Sequence, residues 1–386
     1  MVRKAKLSSP TAAAAKGEKR STSINDQIAD FEKEIANTKY NKATQHHIGL
    51  IKAKIAQLRD KQDIRRKQSA GPGDGYSVRK TGDGTVVLLG FPSAGKSTLL
   101  NTLTNKESEV GDYDFTTLEV IPGILEYNHA KIQILDVPGI VEGAASGSGR
   151  GKEVLQIIRN ADLIIRLIDV FTPEHYDKIN KEVRDVNVRL NERKPDVKIV
   201  KTIKGGIDIG TTVRLTKLDY ATIEDILKSF KIVNAQVVLR TDIDADQLID
   251  VILKNCVYIP SITVVNKIDM VDEAVLKAVK KQIKPDLMVS AQKKIRMKQL
   301  KKLIFKRLDL MRLYLKEVGK KADMEEPLII STKSNMKKVC EKLHRDFVTR
   351  FKFARVWGAS ARFDGQQIRN LKHVLKDNDV IELHLK

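Results

Sequence analysis

The apolar positions along this 386-residue chain change their period several times. From residue 24 they are helical: Ile24, Ile28, Phe31 and Ile35 lie four, three and four residues apart. After the polar break NTKYNKATQHH, Ile48, Ile51, Ile55 and Leu58 repeat the pattern and run into the basic stretch RDKQDIRRK. Two such segments joined by a short break predict a helical hairpin. A glycine-rich linker, SAGPGDGYSVRKTGDG, follows. Beyond it the period gives way to short continuous apolar runs: TVVLL, AKIQILDV, ADLIIRLIDV and SITVV. Strands buried on both faces of a parallel sheet read this way. Alternating with helical segments, they predict a doubly wound α/β sheet, whose ligands bind outside the carboxyl ends of the strands.

One gap is too long for a simple crossover. Asp136 and Asn266 are 130 residues apart, where a βαβ unit needs roughly 30. Residues from about 172 to 240 therefore read as an inserted α+β subdomain. In it VKIVKTIKGGIDIGTTVRL is strand–turn–strand and TIEDILKSF is a helix. From about residue 310 the pattern shortens again. MRLYLKEV, PLIIS, FKFARVWG and DVIELHLK read as strands, and SNMKKVCEKLHRDF as a helix with Val339, Leu343 and Phe347 on one face. The expected division is a disordered basic tail (1–23), hairpin and linker (24–82), an α/β domain (83–309) and a small mixed β domain (310–386).

Charge changes this picture by adding a partner. There are 70 basic and 49 acidic residues, a net charge of +21. Residues 1–82 hold 18 basic and 8 acidic side chains, and residues 310–386 hold 17 and 10. QKKIRMKQLKK (292–302) is a further dense run. Such a balance implies a polyanion, with nucleic acid the first candidate; solvated faces tuned to a salty cytoplasm are the alternative. Two distant cysteines, Cys256 and Cys340, argue against a disulfide framework or a four-ligand zinc site, and read as buried small hydrophobes. No run is long and apolar enough for a membrane span, and the N-terminus lacks a signal-peptide core, so a cytoplasmic protein without a membrane partner is expected. The seven histidines show no metal spacing. His46–His47 reads as structural or RNA-facing rather than as a ligand pair, and Trp357, the single tryptophan, as a core residue, with base stacking the minority reading.

The candidate chemistry begins at GFPSAGKS (Gly90, Phe91, Pro92, Ser93, Ala94, Gly95, Lys96, Ser97). It fits the phosphate-cradling pattern G-x-x-x-x-G-K-[ST] and stands between a strand and a helix, as that loop requires. Lys96 would reach the β- and γ-phosphates, and Ser97 would ligate Mg²⁺. Four further pieces follow in order. DYDFTT offers Thr117 to Mg²⁺ and the γ-phosphate. DVPG offers Asp136 to the Mg²⁺ shell, through water, and the Gly139 N–H to the γ-phosphate. NKID places Asn266, Lys267 and Asp269 after a strand: Asp269 can accept from N1–H and the N2 amine of guanine, and the Lys267 stem can cover the base. Adenine offers neither donor, so a buried Asp269 discriminates against it. MVSAQ places Ser290 and the Ala291 N–H near guanine O6. Thr98, Phe115 and Thr116 complete the expected nucleotide contacts. Together these predict a guanine-nucleotide site with Mg²⁺.

GFPSAGKSTLLNTLTN, YDFTTLEVIPGILEYNHAKIQILDVPGIVEGAASGSGRGKEV, ARVWG and YNKATQHHIGLIKAKIAQLR resemble the developmentally regulated GTP-binding proteins, a branch of the Obg-like GTPases. The likeness covers nearly the whole chain after residue 24 and suggests an archaeal-type member. It implies a P-loop GTPase domain with an inserted subdomain, an N-terminal helical domain and a C-terminal TGS domain of β-grasp fold, associated with RNA and ribosome contact. It implies GTP hydrolysis as a switch, with a protein cofactor for the TGS domain as a further partner. Ile140 stands where many small GTPases carry the Gln that orients water, so the catalytic group is unassigned and slow intrinsic turnover is expected. Ser93 stands where some relatives carry a K⁺-binding Asn, which leaves K⁺ dependence open. Arg150, in the glycine-rich loop, reads first as a solvated side chain. The alternative function is an RNA-binding scaffold holding guanine nucleotide structurally.

Overall fold

The computed structural model describes residues 23–39, 41, 44–69, 82–104, 121–137 and 157–386. The chain divides into two compact units: one combines the N-terminal segment with Pro195–Lys254, the other holds Asp74–Lys194 and Asn255–Lys386.

In the first unit the hairpin helices are Ile24–Asn37 and Gln45–Ser69. Ser23 caps the first, its hydroxyl accepting from the Asp26 N–H while the Asp26 carboxylate accepts from the Ser23 N–H. The second buries Ile48, Ile51 and Ile55, which the spacing places on one face. Its other side, with Gly49 and the buried Ala53, packs on the helices Tyr220–Ser229 and Ala245–Leu253. Polar contacts fix the seam: His46 Nε2 to Asp225 Oδ2 at 2.8 Å, Lys52 Nζ to Asp246 Oδ2 at 2.8 Å, and Gln57 Nε2 donating to the Ser229 carbonyl at 2.9 Å. His47 pairs with Glu34. Both histidines thus pair with carboxylates of the same unit.

The remaining layer of this unit is a three-stranded sheet of β6 (Val197–Lys201), β7 (Ile207–Thr211) and β8 (Ala235–Leu239), ordered β6-β8-β7. The strand–turn–strand reading holds, but its two strands flank β8 and do not pair with each other. The hairpin shares one core with this sheet, in which Ala53 meets Ile223, Leu227 and Leu248. The insertion expected at about 172–240 divides differently. The helix His175–Asp185 buries Ile179 and Val183 in the core of the second unit, and β5 (Val188–Leu190) pairs with β9 (Val257–Ile259) there. Only Pro195–Lys254 clusters with the hairpin.

The second unit is built on a six-stranded sheet of β1 (Gly84–Leu89), β2 (Ile121–Tyr127), β3 (Ala130–Asp136), β4 (Leu163–Asp169), β10 (Ser261–Asn266) and β11 (Leu287–Met288). The order is β11-β10-β4-β1-β3-β2, parallel except for the antiparallel edge strand β2. β1 is buried along its whole length, as its unbroken apolar run requires. The chain passes from β1 to β3 on one side and to β4 on the other, so the crevice for ligands opens at the end of β1. Parallel register sets Leu88 opposite Asp136 and Asp169 opposite Asn266, which aligns the strand ends carrying the motifs.

The C-terminal sheet contains β12 (Leu310–Lys316), β13 (Leu328–Ser331), β14 (Phe351–Trp357), β15 (Gln366–Ile368) and β16 (Asp379–Leu385), in the order β13-β12-β16-β14-β15. β12 and β16 are parallel and the helix Met336–Leu343 covers one face, burying Met336, Val339 and Cys340. Trp357 is half-buried and lies outside that core, with the Lys316 ammonium 4.4 Å from its ring centre. It was expected inside; strand alternation turns Ala354 and Val356 to the core and Trp357 away. Cys340 is buried, which pushes its thiol pKa up, whereas Cys256 is only half-buried. No helix among the described residues is long and apolar enough to cross a membrane.

Candidate functional site

The loop Gly90–Ser97 joins β1 to the helix Lys96–Leu103. Its two glycines are required by geometry. A Cβ at Gly90 would lie 2.6 Å from the Leu167 carbonyl oxygen, and Gly95 has φ +88° with the Asn266 amide nitrogen 2.5 Å from where a Cβ would stand. Lys96 folds its ammonium over the loop, donating to the carbonyls of Gly90 (3.2 Å) and Phe91 (3.4 Å). Its charge therefore sits over the loop that a phosphate would enter. Phe91 stacks on His175, ring centres 3.7 Å apart, so this side chain belongs to the wall of the loop.

At the end of β3, Asp136 is 3% exposed and its Oδ2 accepts from the Ser97 hydroxyl at 2.9 Å. Its Oδ1 is buried with no hydrogen-bond partner among the described residues. A buried carboxylate oxygen without a partner is costly. A bound divalent cation would remove that cost, and the oxygen donors that Ser97 and Asp136 offer would suit Mg²⁺. Thus Ser97 and Asp136 fit the ion expected of them.

Asn266, at the end of β10, is 2% exposed and uses both ends of its amide. Nδ2 donates to the Ala94 carbonyl at 2.9 Å, and Oδ1 accepts from the Ala291 N–H at 3.0 Å. One side chain thereby ties the phosphate loop to the Ser290–Ala291 loop. The Ala291 N–H, expected to face guanine O6, is taken by this bond. Asp269, with 8% of its side chain exposed, is held by the buried Ser290 and by Lys293 Nζ at 3.8 Å. The Ser290 hydroxyl, then the Lys293 charge, keep the Asp269 carboxyl below the usual carboxylate range despite the opposing effect of desolvation. It is therefore an ionised acceptor aimed by neighbours, as base reading needs. Lys267 has φ +65° and its ammonium is fixed by Asp169 at 2.7 Å, which orients the stem. The sequence reading did not single out Asp169; its only signal is its place as the carboxylate ending LIIRLID.

Thus Gly90–Thr98, Asp136, Asn266, Lys267, Asp269, Ser290 and Ala291 converge at one end of the sheet. Phe115, Thr116, Thr117, Gly139, Ile140 and Arg150 lie outside the described residues.

Comparison with known proteins agrees with this geometry. The 50S ribosome-binding GTPase family matches residues 85–202, the C-terminal region of that domain 204–310, and the TGS domain 311–385. Developmentally-regulated GTP-binding protein 2 of Homo sapiens is 40% identical over 93% of this chain and 99% of its own length. The chain belongs to the developmentally regulated GTP-binding protein family. An uncharacterized GTP-binding protein of Methanocaldococcus jannaschii is 50% identical over 94% of this chain and 93% of its own, and one of Halobacterium salinarum is 43% identical over 93% and 98%. As a member of this family the chain is a GTP-binding P-loop GTPase with a C-terminal TGS domain, and the likeness to archaeal members extends through the hairpin.

Proposed function

We propose that the chain is a slow GTP-hydrolysing switch whose GTP-bound form docks on ribosomes or RNA in the cytoplasm. The observation that carries the reading is the Ser97–Asp136 pair with its unpartnered carboxylate oxygen, set beside an ionised Asp269 at the same sheet edge. One end is built for a metal-bound phosphate and the other for a guanine base. When bound, Mg²⁺ neutralises charge on the phosphate oxygens. The chain's own residues do the rest. The loop N–H groups and Lys96 hold the phosphates, Asp269 selects the base, and Asn266 keeps the two loops in register. Thr117 and the Gly139 N–H would sense the γ-phosphate. Ile140 cannot orient water, so turnover would depend on a partner or on a monovalent cation such as K⁺ near Ser93. Docking would use the basic hairpin and the TGS domain, the latter also open to a protein cofactor.

The test is GTP turnover and co-sedimentation with ribosomes in the GTP, GDP and non-hydrolysable-analogue states, in Na⁺ and in K⁺. A GTP-dependent association with stimulated turnover is expected. Tight guanine binding with no turnover under any condition would leave the scaffold reading.

A further inference from the structure

A cavity of about 510 Å³ opens in the second unit beneath the helix His175–Asp185, against β4 and the segment 188–192. It shares no lining residue with the nucleotide loops. Its buried wall carries Arg166, 6% exposed, in the middle of the apolar strand LIIRLID. A guanidinium stays charged at any physiological pH and is costly to bury without a counter-charge. None of the described residues provides one. An Arg166 terminal nitrogen donates to the neutral Asn180 Oδ1, the cation lies 5.0 Å from the Tyr176 ring centre, and Nε has no partner. Of the other charged residues lining the cavity, Glu192 is paired with Arg184 at 3.1 Å, and Lys181, which is exposed, adds a positive charge. Among the lining residues three cations therefore face one carboxylate, with Glu182 beside Lys181 but outside the lining.

We propose that this cavity binds a small phosphomonoester, its phosphate on Arg166 and Asn180 and its organic part along Tyr176 and Leu190. The charge decides the headgroup: a phosphate monoester carries about −1.5 to −2 at pH 7, matching the surplus of two positive charges, whereas a carboxylate carries one. The guanidinium fork suits phosphate oxygens, and the Asn180 amide nitrogen is a further donor beside it. The volume is that of small-molecule sites, which range over about 300–1,000 Å³. Val183, Val188 and Leu190 supply the apolar lining such sites use.

The experiment uses the full chain loaded with GDP and Mg²⁺, so that the phosphate loop is filled. Phenyl phosphate, inorganic phosphate and benzoate are titrated by calorimetry at constant ionic strength. Phenyl phosphate is expected to bind, with benzoate roughly tenfold weaker or more for want of the second charge. Arg166→Met should abolish binding and Lys181→Glu should weaken it several-fold, both at unchanged GDP affinity. Lys181 is exposed, so its variant keeps the test open if Arg166→Met does not fold. No heat with phenyl phosphate up to about 10 mM, a range covering even weak sites, would overturn the proposal. So would binding indifferent to Lys181→Glu and Arg166→Met. Inorganic phosphate binding as tightly as phenyl phosphate would remove the organic part of the ligand.

Discussion

Asp269 is a single carboxylate whose neighbours are arranged to keep it ionised. Replacing it by Asn exchanges an acceptor for a donor, so preference should pass from GTP to XTP. GTP affinity should fall by about 10–150-fold, the range for losing hydrogen bonds to a charged group, in competition with a fluorescent nucleotide. The lowered pKa also has a direction in pH. Asp269 stays charged below the ordinary carboxylate range, so GTP binding should survive mild acid and fail only as pH drops through that depressed value. Ser290→Ala removes the largest cause of the depression and should move the acid limb of the binding curve upward. The metal residues separate by nucleotide state. Ser97→Ala should weaken Mg²⁺-dependent binding of both GDP and GTP, whereas Thr117→Ala should spare GDP; equal losses of GDP affinity would contradict that division. This much of the site was legible because a strand-end motif fixes its own position. The destinations of the Ala291 N–H and the Lys267 ammonium were not, since both depend on how β10 registers against β4 and β11.

Between elements, Asn266 joins the phosphate loop to the Ser290–Ala291 loop through the two ends of one amide. Asn266→Ala deletes two buried hydrogen bonds and leaves the Ala94 carbonyl and the Ala291 N–H without them. A loss of about 2–4 kcal/mol is expected, read as a lower melting temperature in the nucleotide-free protein and weaker binding of GDP. Gly95→Ala should act on the same joint, because the new Cβ meets the Asn266 amide. In the C-terminal sheet the corresponding joint is ionic. Glu382, 2% exposed, accepts from Lys316 at 2.6 Å and from His384 at 2.8 Å, and Lys316 first of all lowers its pKa. A lowered carboxylate pKa contributes stability that is full above the unfolded value, near 4.3, and is lost as pH falls through the folded value. The lone tryptophan, under the Lys316 ammonium, reports on this directly. Its fluorescence should follow an acid transition of the TGS sheet that Lys316→Met shifts to higher pH. Strand alternation and apolar runs made most elements readable. β2 escaped because Pro122 and Gly123 interrupt it and edge strands tolerate both, and β15 because three residues, two of them glutamine, carry no period. The insertion was misplaced at its start because an amphipathic helix such as His175–Asp185 does not say which of two cores it faces.

Across the molecule basic residues exceed acidic ones to give a net charge of +21, and the consequence should appear as salt dependence. Ribosome or RNA binding should fall steeply with salt, since neutralised phosphates release counterions. Neutralising Arg65, Arg66 and Lys67 together should weaken binding and flatten the slope by up to about three phosphate contacts, with GTP affinity unchanged. Binding that ignores loss of both the hairpin and the TGS domain would leave only solvated faces. The seam that holds the hairpin has a different consequence, in the order of synthesis. Gln57 must wait for Ser229, 172 residues later, before its partner exists. At ~5–20 residues per second that interval is about 10–35 s, during which the side of the helix carrying Leu50, Ala53 and Ala56 lacks the helices that cover it. Nascent chains stalled before Tyr220 should therefore be cut by protease within the hairpin, and chains stalled well beyond Lys254 should resist. A segment made early is thus finished only once the chain has passed Lys254.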